Sequence, residues 1–385
     1  MNARPKRIGR RLVAALLAVV AWRWRRDRVL FFAAGLFGLT LLPVSNLVVI
    51  IGSVKAERFL YLPAIGFGIA AAALLDRAGR RWDPKIVRIA AAALVVLFAV
   101  RTFARNRDWQ DGFSLWSSAV ESAPGSYKAH RLLGAVIFQQ DPERNYETAL
   151  PQFETAARLI ASLPVTEQPP DLANDLGVCY RMKGDAAGGK NTEQGRAWYE
   201  KSLAVLQRGR ESDRAVDARV VAVERARGAA VGRVFGLAEL YQNLGNVYLN
   251  LGRFDEALEA CRYGRLVEPH NPTMYLAIAA VENTRGNAEG AAQALLERRL
   301  MGLGDAQADG QLRSLYSRIS GGTCAFVPDG SGWRLDPSCP RMRQDLCTAA
   351  TGLARMLVQA RQRDEARRRM QEAVSTYACP AVPLE

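Results

Sequence analysis

Between two apolar runs of this 385-residue chain sit four residues suited to handling a phosphate: Lys55, Glu57, Arg58 and Tyr61. Ionisable groups at a membrane are costly unless paired or placed at the interface, so they count as functional candidates by default. Two readings are open. In one, Lys55 and Arg58 meet a lipid-linked phosphate while Glu57 and Tyr61 orient them; the planar guanidinium of Arg suits bidentate phosphate contact. In the other, the cluster is an interfacial anchor in which Glu57 neutralises Lys55 or Arg58. Sulfur is the second chemical resource. Cys324, Cys339, Cys347 and Cys379 crowd the C-terminal part. In an oxidising compartment, Cys324 and Cys339 could bridge around a loop with the turn signals Asp329-Gly330 and Asp336-Pro337. Cys347 and Cys379 could bridge across the ends of a terminal helical pair. Four free thiols are the alternative, because connectivity is not written in the sequence. The spacing does not fit a zinc site, and only His130 and His270 supply imidazoles. No Ser/His/Asp triad, phosphate loop or metal motif is present, so the sequence offers no catalytic set and calls for no cofactor.

The elements that position these residues are helices. Residues 1–107 hold 19 Lys/Arg against 4 Asp/Glu, and the remainder holds 33 against 34. The overall charge of +14 therefore sits among apolar segments, as membrane flanks do. No basic, aromatic-interleaved groove follows a phosphate backbone, which argues against nucleic acid as a partner. Residues 1–28 form a basic N-terminus around a short apolar run, Leu12–Trp22, which is under the roughly 20 residues needed to span. A signal-like segment and a truncated membrane helix are both open for it. Residues 29–104 predict about three spans: one over Val29–Leu42 and beyond, one after Pro63, and one over Ile89–Val100. The clusters Arg23–Arg28 and Arg77–Arg88 should be cytoplasmic, which places Pro43–Pro63 and everything after Arg101 on the far side.

Residues 105–126 read as a membrane-proximal linker helix, and 127–302 as helical repeats. In the clearest repeat, Tyr241, Leu244, Gly245 and Tyr248 share one face of a first helix, and Gly252 closes it. Phe254, Ala257, Cys261 and Gly264 share a face of the second, which Pro269 ends. Shifting Gly245, Gly252, Ala257 and Cys261 by about 34 residues gives Ala279, Gly286, Ala291 and Leu295. That register is the pattern of a tetratricopeptide repeat (TPR). More degenerate repeats are expected over Tyr127–Ile160 and from Leu172 to about Ala204, separated by the proline-rich break SLPVTEQPPD. Arg208–Arg233 predicts helix of open register. Residues 303–345 predict an irregular Cys-containing excursion, and 346–385 a terminal hairpin that caps the array. Asn243, Asn246, Asn250 and Arg253 are candidates for peptide contact, with a merely solvated helix face as the alternative. Cys179 and Cys261 read as buried small hydrophobes.

The order of these pieces resembles a known family. PVSNLVVIIGSVKAERFLYLPAIGFG, a basic loop, a last membrane helix, RNRDW and then TPRs is similar to the C-terminal half of the transmembrane and TPR-containing O-mannosyltransferases, including bacterial relatives. The specific residues are Ala56-Glu57-Arg58, Leu60-Tyr61-Leu62-Pro63 and Gly66, with Pro43 and Asn46 upstream. The resemblance implies an all-α architecture of transmembrane helices followed by a TPR-type α-solenoid. It also implies a polyprenyl-phosphate sugar donor near Asn46, Lys55, Glu57, Arg58 and Tyr61. The acidic catalytic pair of that class lies in an early far-side loop, which has no counterpart here.

Three functional readings follow. The first is a multi-pass protein of the cytoplasmic (inner) membrane whose extracytoplasmic solenoid binds protein or peptide. The second is a glycosyltransferase, or a split part of one, using a polyprenyl-phosphate sugar for protein O-mannosylation. The third is a cytoplasmic TPR adaptor, which inverts the topology and leaves the thiols free.

Overall fold

The computed structural model describes residues 27–44, 57–319, 326–329 and 332–383. The chain divides into two compact units, Met1–Arg107 and Asp108–Glu385. As the sequence predicts, the architecture of the described residues is all-α, with one short β-hairpin among them.

In the first unit, α1 spans Arg28–Leu41, α2 Tyr61–Arg81 and α3 Pro84–Asn106. Asp27 caps α1 by accepting from the Leu30 amide at 3.1 Å, and Asp83 caps α3 by accepting from the Lys85 amide at 2.8 Å. Pro84 follows in the first turn, where a missing N–H costs nothing. Helices α1 and α2 pack through small residues. Ala33 is fully buried, and a Cβ on Gly66 would lie 2.6 Å from the Ala33 carbonyl oxygen. Close backbone approach of this kind is how helices associate where no hydrophobic drive operates. Arg77 pairs with Asp27 at 2.5 Å, tying the start of α1 to the end of α2.

Two of these helices, Tyr61–Arg81 and Pro84–Trp109 with its 3₁₀ extension, are long and apolar enough to cross a membrane. The first, at 21 residues, is about 32 Å long against a hydrocarbon core of about 30 Å. Helix α1 has 14 residues, about 21 Å, which is short of that core. The apolar side chains of α3 are exposed, Leu97 at 63% and Phe103 at 70% among them.

The second unit is a succession of helix pairs. After α4 (Gly112–Ser122) come α5 (Tyr127–Gln140) with α6 (Pro142–Leu159), and α7 (Pro170–Ala186) with α8 (Glu193–Ala226). Next are α9 (Ala238–Asn250) with α10 (Phe254–Val267), and α11 (Pro272–Thr284) with α12 (Ala288–Leu300). Ser126, Asp141, Thr192, Asn271 and Asn287 each accept a first-turn amide, which fixes where five of the helices start. Gly252 and Gly286 take φ of 75° and 88° at matching turns, a conformation that costs other residues a Cβ clash. The first helix of three pairs carries Gly at the crossing point. A Cβ would lie 2.8 Å from Phe153 at Gly134, 2.5 Å from Leu206 at Gly177, and 2.3 Å from the Cys261 sulfur at Gly245.

Two stretches differ from expectation. The charged segment of open register is one helix with the repeat before it, so α8 runs 34 residues. Its polar residues Asp213 and Asp217, not an apolar stripe, fix its later part. Asp213 is 1% exposed and accepts from the Tyr241 hydroxyl and the Leu237 amide, both at 2.9 Å. Asp217 accepts from the Phe235 amide at 2.9 Å, so the two carboxylates shape the turn before α9. Within the expected excursion lies α13, Ala306–Ile319, which buries Ala308, Leu312, Leu315 and Tyr316. Strands β1 (Phe326–Asp329) and β2 (Gly332–Leu335) follow, paired antiparallel. Then come α14 (Pro340–Gln359) and α15 (Arg363–Tyr377), burying Leu353, Ala354, Ala366, Met370 and Ala373.

Candidate functional site

First helices of successive pairs lie side by side, and residues about one repeat apart occupy equivalent places. Asn243 donates to Asn174 at 2.8 Å, which links α9 to α7. Arg131 of α5 pairs with Asp175 at 2.8 Å and Asp171 at 3.6 Å on α7. Burial pushes the Asp175 carboxyl up, and Arg131 pulls it back. Toward the C-terminus this first-helix face becomes apolar. Between α11 and α13 runs a groove of about 430 Å³ floored by Leu276, Ala279, Ala280 and Leu315. Asn283 and Arg318 stand at its rim, hydrogen-bonded to each other at 2.7 Å. Open apolar floors with a few polar rim groups are the usual form of a recognition groove.

The four peptide-contact candidates are used differently. Asn246 and Asn250 lie one repeat before Ala280 and Thr284, so Asn246 occupies the place equivalent to a groove-lining residue. Neither amide side chain has a hydrogen-bond partner among the described residues. Asn243 is engaged with Asn174. Arg253 is committed to its own turn: it pairs with Glu256 at 2.8 Å and stacks 4.9 Å from the Tyr248 ring centroid. The sequence reading missed Leu276, Ala280, Leu315 and Arg318. The first two follow from carrying Gln242 and Asn246 forward one repeat, whereas the α13 residues required seeing a helix in a stretch read as irregular.

Charged residues elsewhere in the array hold helices together. Glu282, with a 4% exposed side chain, accepts from Arg285 at 2.6 Å, Asn287 at 2.9 Å and Arg262 at 3.5 Å. Glu297 pairs with Arg265 between α12 and α10; burial raises its carboxyl pKa, and Arg265 opposes the rise.

Of the phosphate-handling candidates, Asn46 and Lys55 lie outside the described residues. Glu57 and Arg58 begin a 3₁₀ turn, Glu57–Leu60, that leads into α2. Tyr61 opens α2 and is 82% exposed. Among the cysteines, Cys347 and Cys379 form a disulfide with Cα atoms 5.2 Å apart. Cys339 is also disulfide-bonded, and Cys324 lies outside the described residues. Cys179 and Cys261 are free and buried, and burial raises both thiol pKa values to about 12, which leaves them unreactive. Among the described residues no cluster of His, Cys, Asp or Glu could hold a metal.

The tetratricopeptide-repeat family model matches residues 238–271. The resemblance read from the sequence is borne out: the chain's curated relatives are O-mannosyltransferases. Protein O-mannosyl-transferase Tmtc1 of Drosophila melanogaster is 38% identical over 117 residues, covering 29% of this chain and 13% of that protein. TMTC2 of Homo sapiens is 31% identical over 127 residues, 32% of this chain and 15% of that protein. F38B6.6 of Caenorhabditis elegans is 28% identical over 139 residues, 35% of this chain and 20% of that protein. The matched part of the chain thus spans a fifth or less of these relatives. Among solved structures, TTC0263, a TPR protein of Thermus thermophilus, is 19% identical with a TM-score of 0.37, covering 57% of this chain and 95% of that one.

Proposed function

We propose that this chain is a membrane-anchored TPR protein whose solenoid stands on the extracytoplasmic side and binds an extended protein segment. The observation that carries the binding role is the apolar groove between α11 and α13, continuous in register with the unengaged Asn246 face. Affinity comes from apolar side chains entering the floor, and orientation from Asn283, Asn246 and Asn250 bonding to peptide backbone. The Cys347–Cys379 bridge supports the extracytoplasmic side, because structural disulfides persist in oxidising compartments. The anchor is the apolar helices α2 and α3, with the basic ends of α2 and α3 around Arg77–Arg88 toward the cytoplasm. The test selects peptides from a displayed random library on the full chain in nanodiscs and then measures their affinity. Leu276→Asp and Ala280→Glu should abolish binding of selected peptides, while Asp255→Ala on α10 leaves it intact. Peptides that bind all three variants alike would refute the groove.

The relatives favour a second reading. The first unit supplies part of a site for a polyprenyl-phosphate sugar, with Asn46, Lys55, Glu57, Arg58 and Tyr61 near its phosphate. In that case Arg58→Ala weakens binding of polyprenyl phosphate in nanodiscs and leaves membrane insertion unchanged. Loss of the protein from the membrane would instead make Arg58 a structural anchor.

A further inference from the structure

The proline-rich segment between α6 and α7 roofs a small cavity that the groove reading does not use. The cavity measures about 120 Å³ and lies where α7 passes between α6 and α8. Its walls are apolar, with Ile160, Leu172, Leu176 and Val205 foremost. The roof is held at three points: Ser212 donates to the Gln168 carbonyl, Gln168 donates to the Leu163 carbonyl at 2.9 Å, and Arg219 donates to the Thr166 carbonyl at 3.1 Å. Among the described residues, Arg208 is the one charged residue on the wall. It is exposed, and it has no carboxylate or other side-chain partner among the described residues.

We infer that this cavity is an anchor pocket for the C-terminal residue of a partner polypeptide, an aliphatic residue of leucine size whose carboxylate pairs with Arg208. The volume sets the first half of the assignment. An enclosed apolar cavity of about 150 Å³ holds a benzene ring, so 120 Å³ has room for a branched four-carbon side chain. Charge sets the second half. A lone guanidinium beside an apolar hole complements a ligand that carries a carboxylate within one residue of its apolar group, as the C-terminal residue of a chain does. Arg favours a carboxylate by matching both oxygens. The pocket is lined by the second helices α6 and α8 together with α7, and shares no residue with the groove between α11 and α13.

The probes are N-acetyl-leucine and N-acetyl-leucinamide, which differ only in the terminal charge. Binding to the full chain in nanodiscs is followed by ligand-observed NMR, with empty nanodiscs as the blank. The acid should bind saturably and about fivefold more tightly than the amide, the ratio expected of one solvent-accessible ion pair. Arg208→Gln should erase that preference and leave amide binding unchanged. Val205→Phe should fill the cavity and abolish both; Ala157→Leu does the same from α6 and serves if Val205→Phe does not fold. Leu276→Asp should change nothing, which separates this site from the groove. The inference is overturned if the wild type shows no saturable binding, if acid and amide bind equally, or if the filled variants bind as the wild type does.

Discussion

Gly245→Ala should weaken the α9–α10 pair in the natural sequence and strengthen it when Cys261 is also alanine. The added Cβ would sit 2.3 Å from the Cys261 sulfur, far inside the contact optimum of about 3.5–4.0 Å. Overpacking of this size costs about 1–3 kcal/mol. Against it stands the helix preference of Ala over Gly, about 1 kcal/mol. The clash wins, and the net loss is about 1 kcal/mol. Cys261 is fully buried with its thiol neutral, so Cys261→Ala removes the obstacle and adds no stranded charge. In that background only the propensity gain remains, so the sign of Gly245→Ala inverts. The two substitutions should therefore couple by about 2 kcal/mol. Because solenoids open repeat by repeat, the assay is native-state hydrogen exchange of the amides in α9 and α10, which reads their local opening. Exchange there should quicken severalfold in the single variant and slow in the double variant relative to Cys261→Ala. Strict additivity would mean that Gly245 and Cys261 do not meet, and the hairpin packing described above would be wrong.

Three further outcomes follow from other contacts. Replacing Cys347 and Cys379 together by Ser opens a crosslink across 32 residues and should cost the C-terminal hairpin about 4 kcal/mol, seen as a lowered thermal midpoint. Arg361 grips Asp217 at 2.8 and 2.9 Å across 144 residues. Burial pushes the Asp217 carboxyl up, but the Arg361 guanidinium and the Phe235 amide outweigh it and hold it below the usual carboxylate range. A lowered carboxylate contributes stability above its unfolded pKa of about 3.9 and loses it as the pH falls toward the folded value. Arg361→Ala should reduce stability at pH 7 and flatten that acid limb of the melting profile; an unchanged limb would refute the clasp. In the first unit, Gly66→Leu should separate α1 from α2, read as lost crosslinking between cysteines placed at Phe37 and Pro63.

The repeat core was legible because its geometry depends on residue size at fixed spacing. Gly245, Ala257, Cys261 and their counterparts one period later mark the helix crossings directly. The terminal hairpin was legible through Leu353, Ala354, Ala366 and Met370, which lie on buried faces. Helix α13 was hidden because the repeat periodicity is lost after Gly302, although Leu312, Leu315 and Tyr316 carry a helical stripe. The length of α8 was hidden for a different reason. Its second half is positioned by the buried Asp213 and the half-buried Asp217, whose partners, Tyr241 and Arg361, are 28 and 144 residues away. No local pattern encodes such pairs. The groove was half legible: Asn246 lies one repeat before the groove-lining Ala280, but Gln311, Ser314, Leu315 and Arg318 line it from α13, which was not expected.

The proposed extracytoplasmic placement of the solenoid leans on the Cys347–Cys379 bridge. The most direct test expresses the full chain in its membrane, blocks free thiols in intact cells with a membrane-permeant alkylating agent, and maps peptides without reduction. A linked peptide pair containing Cys347 and Cys379 is expected, with Cys179 and Cys261 unmodified until denaturation. Cys347 and Cys379 recovered as separate alkylated peptides would place the solenoid in a reducing compartment and contradict it.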